Sequence, residues 1–227
     1  SSDGDKTLIL FVRDYAGNIA QQLQSIQLDQ TGPSIVLEQI PSFLNSDNYS
    51  LPLSLTGDDS EVLYYFLNSD NNTPELNEPN WILLTSNSIE LNFEKEGQLR
   101  SYLWLKDLAG NLAAPQGIST LVDRTPPSIN SFTINNGDNF TNSSEIILSW
   151  QASDNGSGIK DFFLSETNTE PTSEEEWITY LETTENYPYS FIDEQDGLKS
   201  LTLYLRDFAG NIQSIQDNIS LDTQGPE

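Results

Sequence analysis

The side chains in this sequence best suited to chemistry are carboxylates, and they recur at fixed places. Asp29, Asp123 and Asp222 each stand just before a short turn that contains proline, in LDQTGP from Leu28, VDRTPP from Val122 and LDTQGP from Leu221. Asp3, Glu96 and Asp196 open an alternating stretch, and Asp14, Asp107 and Asp207 close it, each beside a base (Arg13, Lys106 and Arg206). A further acidic loop contains Asp58, Asp59 and Glu61, and its counterpart contains Asp154 and Asn155. Carboxylate, carboxamide and carbonyl oxygens are the donors that a hard cation such as calcium takes. Two places can supply a set of them: the turn acids Asp29, Asp123 and Asp222 meeting Asp3, Glu96 and Asp196 or the Ala-Gly-Asn turns, and the loops at Asp58, Asp59 and Glu61 or Asp154 and Asn155. A cation at the first would stiffen a junction by neutralising repulsion between acidic neighbours. The chain has no EF-hand loop or glycine-aspartate nonapeptide, so ordinary solvated Asp and Asn turns are the competing reading.

Other chemistry is excluded or unsupported. The chain has no Cys and no His, which removes disulfides, thiolate nucleophiles, imidazole bases and Cys/His zinc sites. A glycosidase-type acid pair would need two singular carboxylates, whereas these acids recur in every copy of a repeat, so no catalytic residue and no organic cofactor is expected. With nine basic against 35 acidic residues, the formal net charge is −26. Such a surface repels nucleic-acid phosphates and anionic lipid. No run of apolar residues is long enough to span a bilayer, so no membrane insertion is expected.

The carboxylates are positioned by a repeat. DGDKTLILFVRDYAGNI from Asp3, EGQLRSYLWLKDLAGNL from Glu96 and DGLKSLTLYLRDFAGNI from Asp196 align without a gap. Their glycines Gly17, Gly110 and Gly210 recur about every hundred residues, the size of one β-sandwich module. The front halves match as well, LSLTGDDSEVLYYFLNSDNNTPE from Leu53 with LSWQASDNGSGIKDFFLSETNTEP from Leu148, and Trp81 and Trp177 follow at equivalent places. Period-two alternation predicts strands with core-facing Leu8, Leu10 and Val12, then Leu103 and Leu105, then Leu201, Leu203 and Leu205. Gly17, Gly110 and Gly210 fit a tight return that needs positive φ, followed by an Asn able to bond the loop backbone. Helical signal is confined to one turn over Ser173-Glu174-Glu175-Glu176, and the counterpart stretch before Trp81 reads as loop.

SWQASDNGSGIKDFFLSE, a following Trp, DGLKSLTLYLRDFAGNI and LDTQGP together resemble the fibronectin-III-like and bacterial immunoglobulin-like repeats of large bacterial surface proteins and adhesins. The resemblance covers essentially the whole chain. It implies an all-β fold of tandem seven-stranded antiparallel β-sandwiches, with complete repeats over 33–125 and 126–227 and the last two strands of a preceding repeat over 1–32. It implies no enzyme, but a spacer or stalk of an extracellular adhesin, at the bacterial cell surface or secreted, whose first partners are the adjacent repeats. The first complete copy departs from the pattern, since Gly57-Asp58-Asp59-Ser60-Glu61 replaces the Ser-Gly loop of the second. Two other readings stand beside the spacer. One is a carbohydrate- or protein-binding module using exposed aromatics at Trp81, Trp104, Trp177 and Tyr204. The other is a self-assembling filament or matrix subunit in which residues 1–30 complete a sheet in a neighbouring chain.

Overall fold

The computed structural model describes residues 2–56, 63–181 and 186–225. The described chain is all-β, apart from single 3-10 turns at Asn135–Gly137 and Glu174–Glu176. The strands are β1 (Gly4–Arg13), β2 (Ile19–Leu28), β3 (Ser34–Leu37), β4 (Phe43–Leu44), β5 (Asn48–Thr56), β6 (Leu63–Asn68), β7 (Ile82–Leu83), β8 (Ser88–Asn92), β9 (Gly97–Asp107) and β10 (Gln116–Val122). They continue as β11 (Ser128–Ile134), β12 (Phe140–Thr141), β13 (Glu145–Ser153), β14 (Ile159–Ser165), β15 (Ile178–Thr179), β16 (Tyr187–Ser190), β17 (Gly197–Asp207) and β18 (Ile212–Leu221).

Strands β11 to β18 form a three-stranded sheet, β11-β13-β16, and a five-stranded sheet, β12-β18-β17-β14-β15. Strands β3 to β10 repeat the plan as β3-β5-β8 and β4-β10-β9-β6-β7. Each set is a seven-stranded sandwich whose first strand is divided between the two sheets, the immunoglobulin and fibronectin-III arrangement. The divided strand adds one short parallel pairing to each otherwise antiparallel sandwich. Having crossed over, β12 runs parallel to β18, and β4 runs parallel to β10. In the later sandwich the crossing uses Asn135 and Asn136 at positive φ, which the small polar side chain of Asn tolerates.

The alternation predicted for the central strand is realised. Leu201, Leu203 and Leu205 are fully buried against Trp150, Ile134 and Phe162, and Leu103 and Leu105 are equally buried in the earlier sandwich. The same row in the β1–β2 hairpin is exposed, with Leu8, Leu10 and Val12 between 58% and 72% accessible. The three rows are similarly apolar; the difference is that no second sheet covers β1 and β2 within the described residues, where they form a sheet of two strands. The one-turn helix at Glu174–Glu176 has a capping box, Ser173 with Glu176, and the stretch before Trp81 is loop.

By internal contacts the chain divides into two compact units. One comprises Ser1–Ile40, Asn48–Asn92 and Leu99–Ser119; the other comprises Pro41–Asp47, Phe93–Gln98 and Thr120–Glu227.

Candidate metal centre

The strand that carries the leucine row ends in a turn built the same way three times. The carboxylates of Asp14, Asp107 and Asp207 accept the backbone N–H of Asn18, Asn111 and Asn211, each at 2.8 Å. The Asn side chains return a bond to the same carboxylates, also at 2.8 Å. Gly17, Gly110 and Gly210, all at φ 94°, close the turn in a region that a Cβ would strain. The Asn also reaches the proline turn: Asn111 Nδ2 donates to the Asp29 carbonyl at 3.2 Å, and Asn211 Nδ2 donates to the Asp123 carbonyl at 2.9 Å.

The acids that open and close the repeat meet at that proline turn. Asp29, Asp123 and Asp222 each accept the N–H two residues on, from Thr31, Thr125 and Gln224, at 3.1 Å. Asp3 accepts Gln30 N and the Thr31 hydroxyl, Glu96 accepts Arg124 N and the Thr125 hydroxyl, and Asp196 accepts Thr223 N and its hydroxyl. These bonds from Thr223 hold the Asp196 carboxyl below the usual Asp value. Asp3, Glu96 and Asp196 thus fasten the turn through hydrogen bonds.

In the second unit the Asp123 carboxylate lies beside two others. Asp123, Asp154 and Asp207 each offer an oxygen within 4.8 Å of the others, and among the described residues this is the one acidic group so arranged. Asp123 and Asp207 are buried, at 2% and 0% exposure. Burial raises the Asp207 carboxyl; the bonds from Asn211 oppose this, and the neighbouring Asp123 charge adds to it. None of the three is in an ion pair among the described residues. At an effective dielectric of about 20, two unit charges this far apart repel by about 3 kcal/mol. Oxygens that share one calcium lie within about 4.8 Å of each other, twice a bond of about 2.4 Å. Three carboxylates within that span, with no basic partner, fit a calcium ion.

The loop that brings Asp154 in is shaped for this approach. Asp154 Oδ1 accepts Gly156 N at 3.0 Å and Gly158 N at 2.6 Å, and Ser157 N donates to Asp123 Oδ2. A Cβ on Gly156 would stand 2.3 Å from the Asp123 carboxylate, so only glycine fits. Asn155 lines the same cleft of about 330 Å³, with Glu96, Asp123 and Asp154.

Of the residues proposed from sequence, Asp123 and Asp154 come together with Asn155 and Glu96 at the rim. Asp29 lies at the corresponding turn of the first unit, where Asn111 bonds both its carbonyl and Asp107. Asp58, Asp59 and Glu61, the other acidic loop proposed from sequence, lie outside the described residues. Asp222 stands in a different depression, with Asp138, and Asp196 is bonded to Thr223.

Asp207, which the sequence shows only as an acid beside a base, is the third carboxylate of the cluster. Residues 206 and 207 point to opposite faces of a strand, and the structure pairs Arg206 elsewhere. Its guanidinium donates to both Asp161 oxygens at 2.9 and 2.7 Å and to Glu174, and it stacks 4.3 Å over Trp177. Lys106, its counterpart, sits 4.5 Å over Trp81.

Of the four aromatics proposed as a binding platform, two are buried and two are half-buried. Trp104 and Tyr204 are 6% and 5% exposed, while Trp81 packs on Phe66 at 5.5 Å and Trp177 lies under Arg206.

No protein-family model and no curated protein sequence matches the chain. Among solved structures, it is similar to the fibronectin(III)-like modules of Clostridium thermocellum CbhA, at 10% identity and a TM-score of 0.47, over 82% of this chain and 92% of that one. It is similar to a tetra-tandem repeat in the extending region of a large adhesion protein, at 16% identity and a TM-score of 0.28, over 97% of this chain and 57% of that one. It is also similar to the D00-D0 domain of intimin, at 6% identity and a TM-score of 0.34, over 84% of this chain and 99% of that one.

Proposed function

We propose that the chain is a non-catalytic spacer segment of an extracellular surface protein, on a bacterial cell or secreted, in which calcium bound at Asp123, Asp154 and Asp207 fixes a turn between modules. The observation that carries the reading is the convergence of three carboxylates, two of them buried, from three separate elements onto one proline turn. Asp123 comes from that turn, Asp154 from the β13–β14 loop and Asp207 from the end of β17. An ion that joins all three restrains the turn relative to the sheet.

The same acid-turn-Asn assembly recurs at Asp29 with Asn111, which suits a repeated spacer better than a singular catalytic site. In this reading residues 1–32 are the last hairpin of a further module, with complete modules over 33–125 and 126–227. The exposed row Leu8, Leu10 and Val12 is then a core face that other strands of that module cover.

Small-angle scattering of the whole chain, with and without millimolar calcium and paired with thermal melts, tests the proposal. Calcium should narrow the distribution of dimensions and raise the melting temperature. If both observables stay unchanged, the proline turns alone set the geometry and the calcium role is wrong.

A further inference from the structure

The second unit contains two copies of one surface, and among the described residues only one of them is occupied. In the first copy, β4 pairs parallel with β10, and Asp123 N donates to the Leu44 carbonyl at 2.8 Å. In the second, β12 pairs parallel with β18, and Asp222 N donates to the Thr141 carbonyl at 2.9 Å. Phe43, Asn45 and Asp123 therefore correspond position by position to Phe140, Asn142 and Asp222.

The first surface holds an aromatic-Ala-Gly-Asn turn. The Phe208 ring lies 5.5 Å from Phe43, a Cβ on Gly210 would meet Asn45 Nδ2 at 3.6 Å, and Asn211 donates to the Asp123 carbonyl. The second surface is an open depression of about 500 Å³ lined by Phe140, Asn142 and Asp222, among others, with Phe140 72% exposed. The sequence carries a matching turn, Tyr15-Ala16-Gly17-Asn18. Its Asp14–Asn18 bonds and its φ of 94° at glycine match those of the bound turn, and its aromatic is fully exposed.

The geometry points to Phe140, Asn142 and the Asp222 carbonyl as a docking surface for an aromatic-Ala-Gly-Asn turn, supplied by Tyr15–Asn18 of a second copy of this chain, head to tail. The ring of Tyr15 takes the place of Phe208 against Phe140, Gly17 lets the backbone approach Asn142, and Asn18 donates to the Asp222 carbonyl. This rests on the reading of the chain as one string of like modules, and not on calcium. Untethered, the contact is weak, because joining two modules in one chain supplies an effective concentration that free copies lack. A covalent trap is therefore the suitable readout.

The chain has no Cys, so introduced thiols are the only ones present. Full-length Tyr15→Cys/Phe140→Cys, treated with a short bis-maleimide, should give a ladder of linked chains. The same treatment of Ile192→Cys/Phe140→Cys, which pairs Phe140 with a residue 87% exposed elsewhere, should give at least tenfold less. Adding Asn18→Ala should slow the first ladder severalfold, and Phe43→Cys/Phe208→Cys should close within one chain. Equal ladders from the two inter-chain pairs, or none from the first, would overturn the docking surface. Failure of the intramolecular pair would overturn the template on which it is built. None of these outcomes depends on calcium, so they leave the calcium reading to its own test.

Discussion

Single residues decide whether the carboxylate cluster works as an ion site. Asp154→Asn keeps an Oδ1 acceptor for Gly156 and Gly158 while removing one of three negative charges. Without calcium this variant should melt at the same temperature or higher, because one of the mutually repelling charges is gone. Its response to calcium should disappear. A merely structural Asp154 would lower stability under both conditions, so paired melts with calcium and with chelator separate the two. Gly156→Ala should also abolish the calcium response, because its methyl would occupy the position of the Asp123 carboxylate. The raised Asp207 carboxyl adds a pH dependence of defined sign. A folded-state value above the unfolded one means that the folded chain binds more protons between the two values. In chelator, stability of the second unit should therefore gain from Asp207 as the pH falls from neutral through that raised value, a gain complete below the ordinary Asp value. With calcium the sign reverses, since protonation competes with the ion. Melts across that range in the two buffers would reveal the crossing.

At the scale of elements, the central strand β17 is the element whose two faces do different work. Its Leu201, Leu203 and Leu205 face is core, and Leu203→Ala should cost about 2–5 kcal/mol in denaturant unfolding. On the other face, Arg206 holds β14 and the capped turn through Asp161 and Glu174. Arg206→Leu alone leaves Asp161, which is 5% exposed, with only the longer 3.8 Å contact from Lys160 and should cost about 3 kcal/mol. Adding Asp161→Leu should recover much of that loss, because the poorly compensated buried charge is then gone. Most of this architecture was legible in the sequence. Alternation placed the leucine rows, the recurring glycines placed the turns, and the acidic run Ser173–Glu176 marked one of the two 3-10 turns, while that at Asn135–Gly137 gave no such sign. The partners of Asp207 and Arg206 were not legible: the two are neighbours in sequence, but the alternation that placed the leucines sends them to opposite faces, toward residues distant along the chain. The crossing of the first strand between sheets was hidden too, because Asn135-Asn136-Gly137 reads like any polar turn. The aromatics Trp104 and Tyr204 carried no sign of their burial, and Tyr204 reaches Asn168, 36 residues earlier in sequence.

For the whole molecule, the claim is that repeated acidic turns become ordered junctions when an ion bridges them. The β1–β2 hairpin supplies an internal contrast, with the same turn and the same leucine row but no covering sheet in the described residues. A two-stranded sheet is marginal in water, so its amides should exchange far faster than those of β17 and β18 in hydrogen-exchange measurements. A ligand that binds only the folded state stabilises it by about 2.7 kcal/mol at a hundredfold excess over its dissociation constant. For a module of this size, that corresponds to a rise of about 10 °C or more in melting temperature. The most direct test is titration calorimetry of calcium into the full chain and into its Asp154→Asn variant. The account predicts a saturable binding event in the parent chain that the variant loses. Binding of equal strength in both, or in neither, would contradict it.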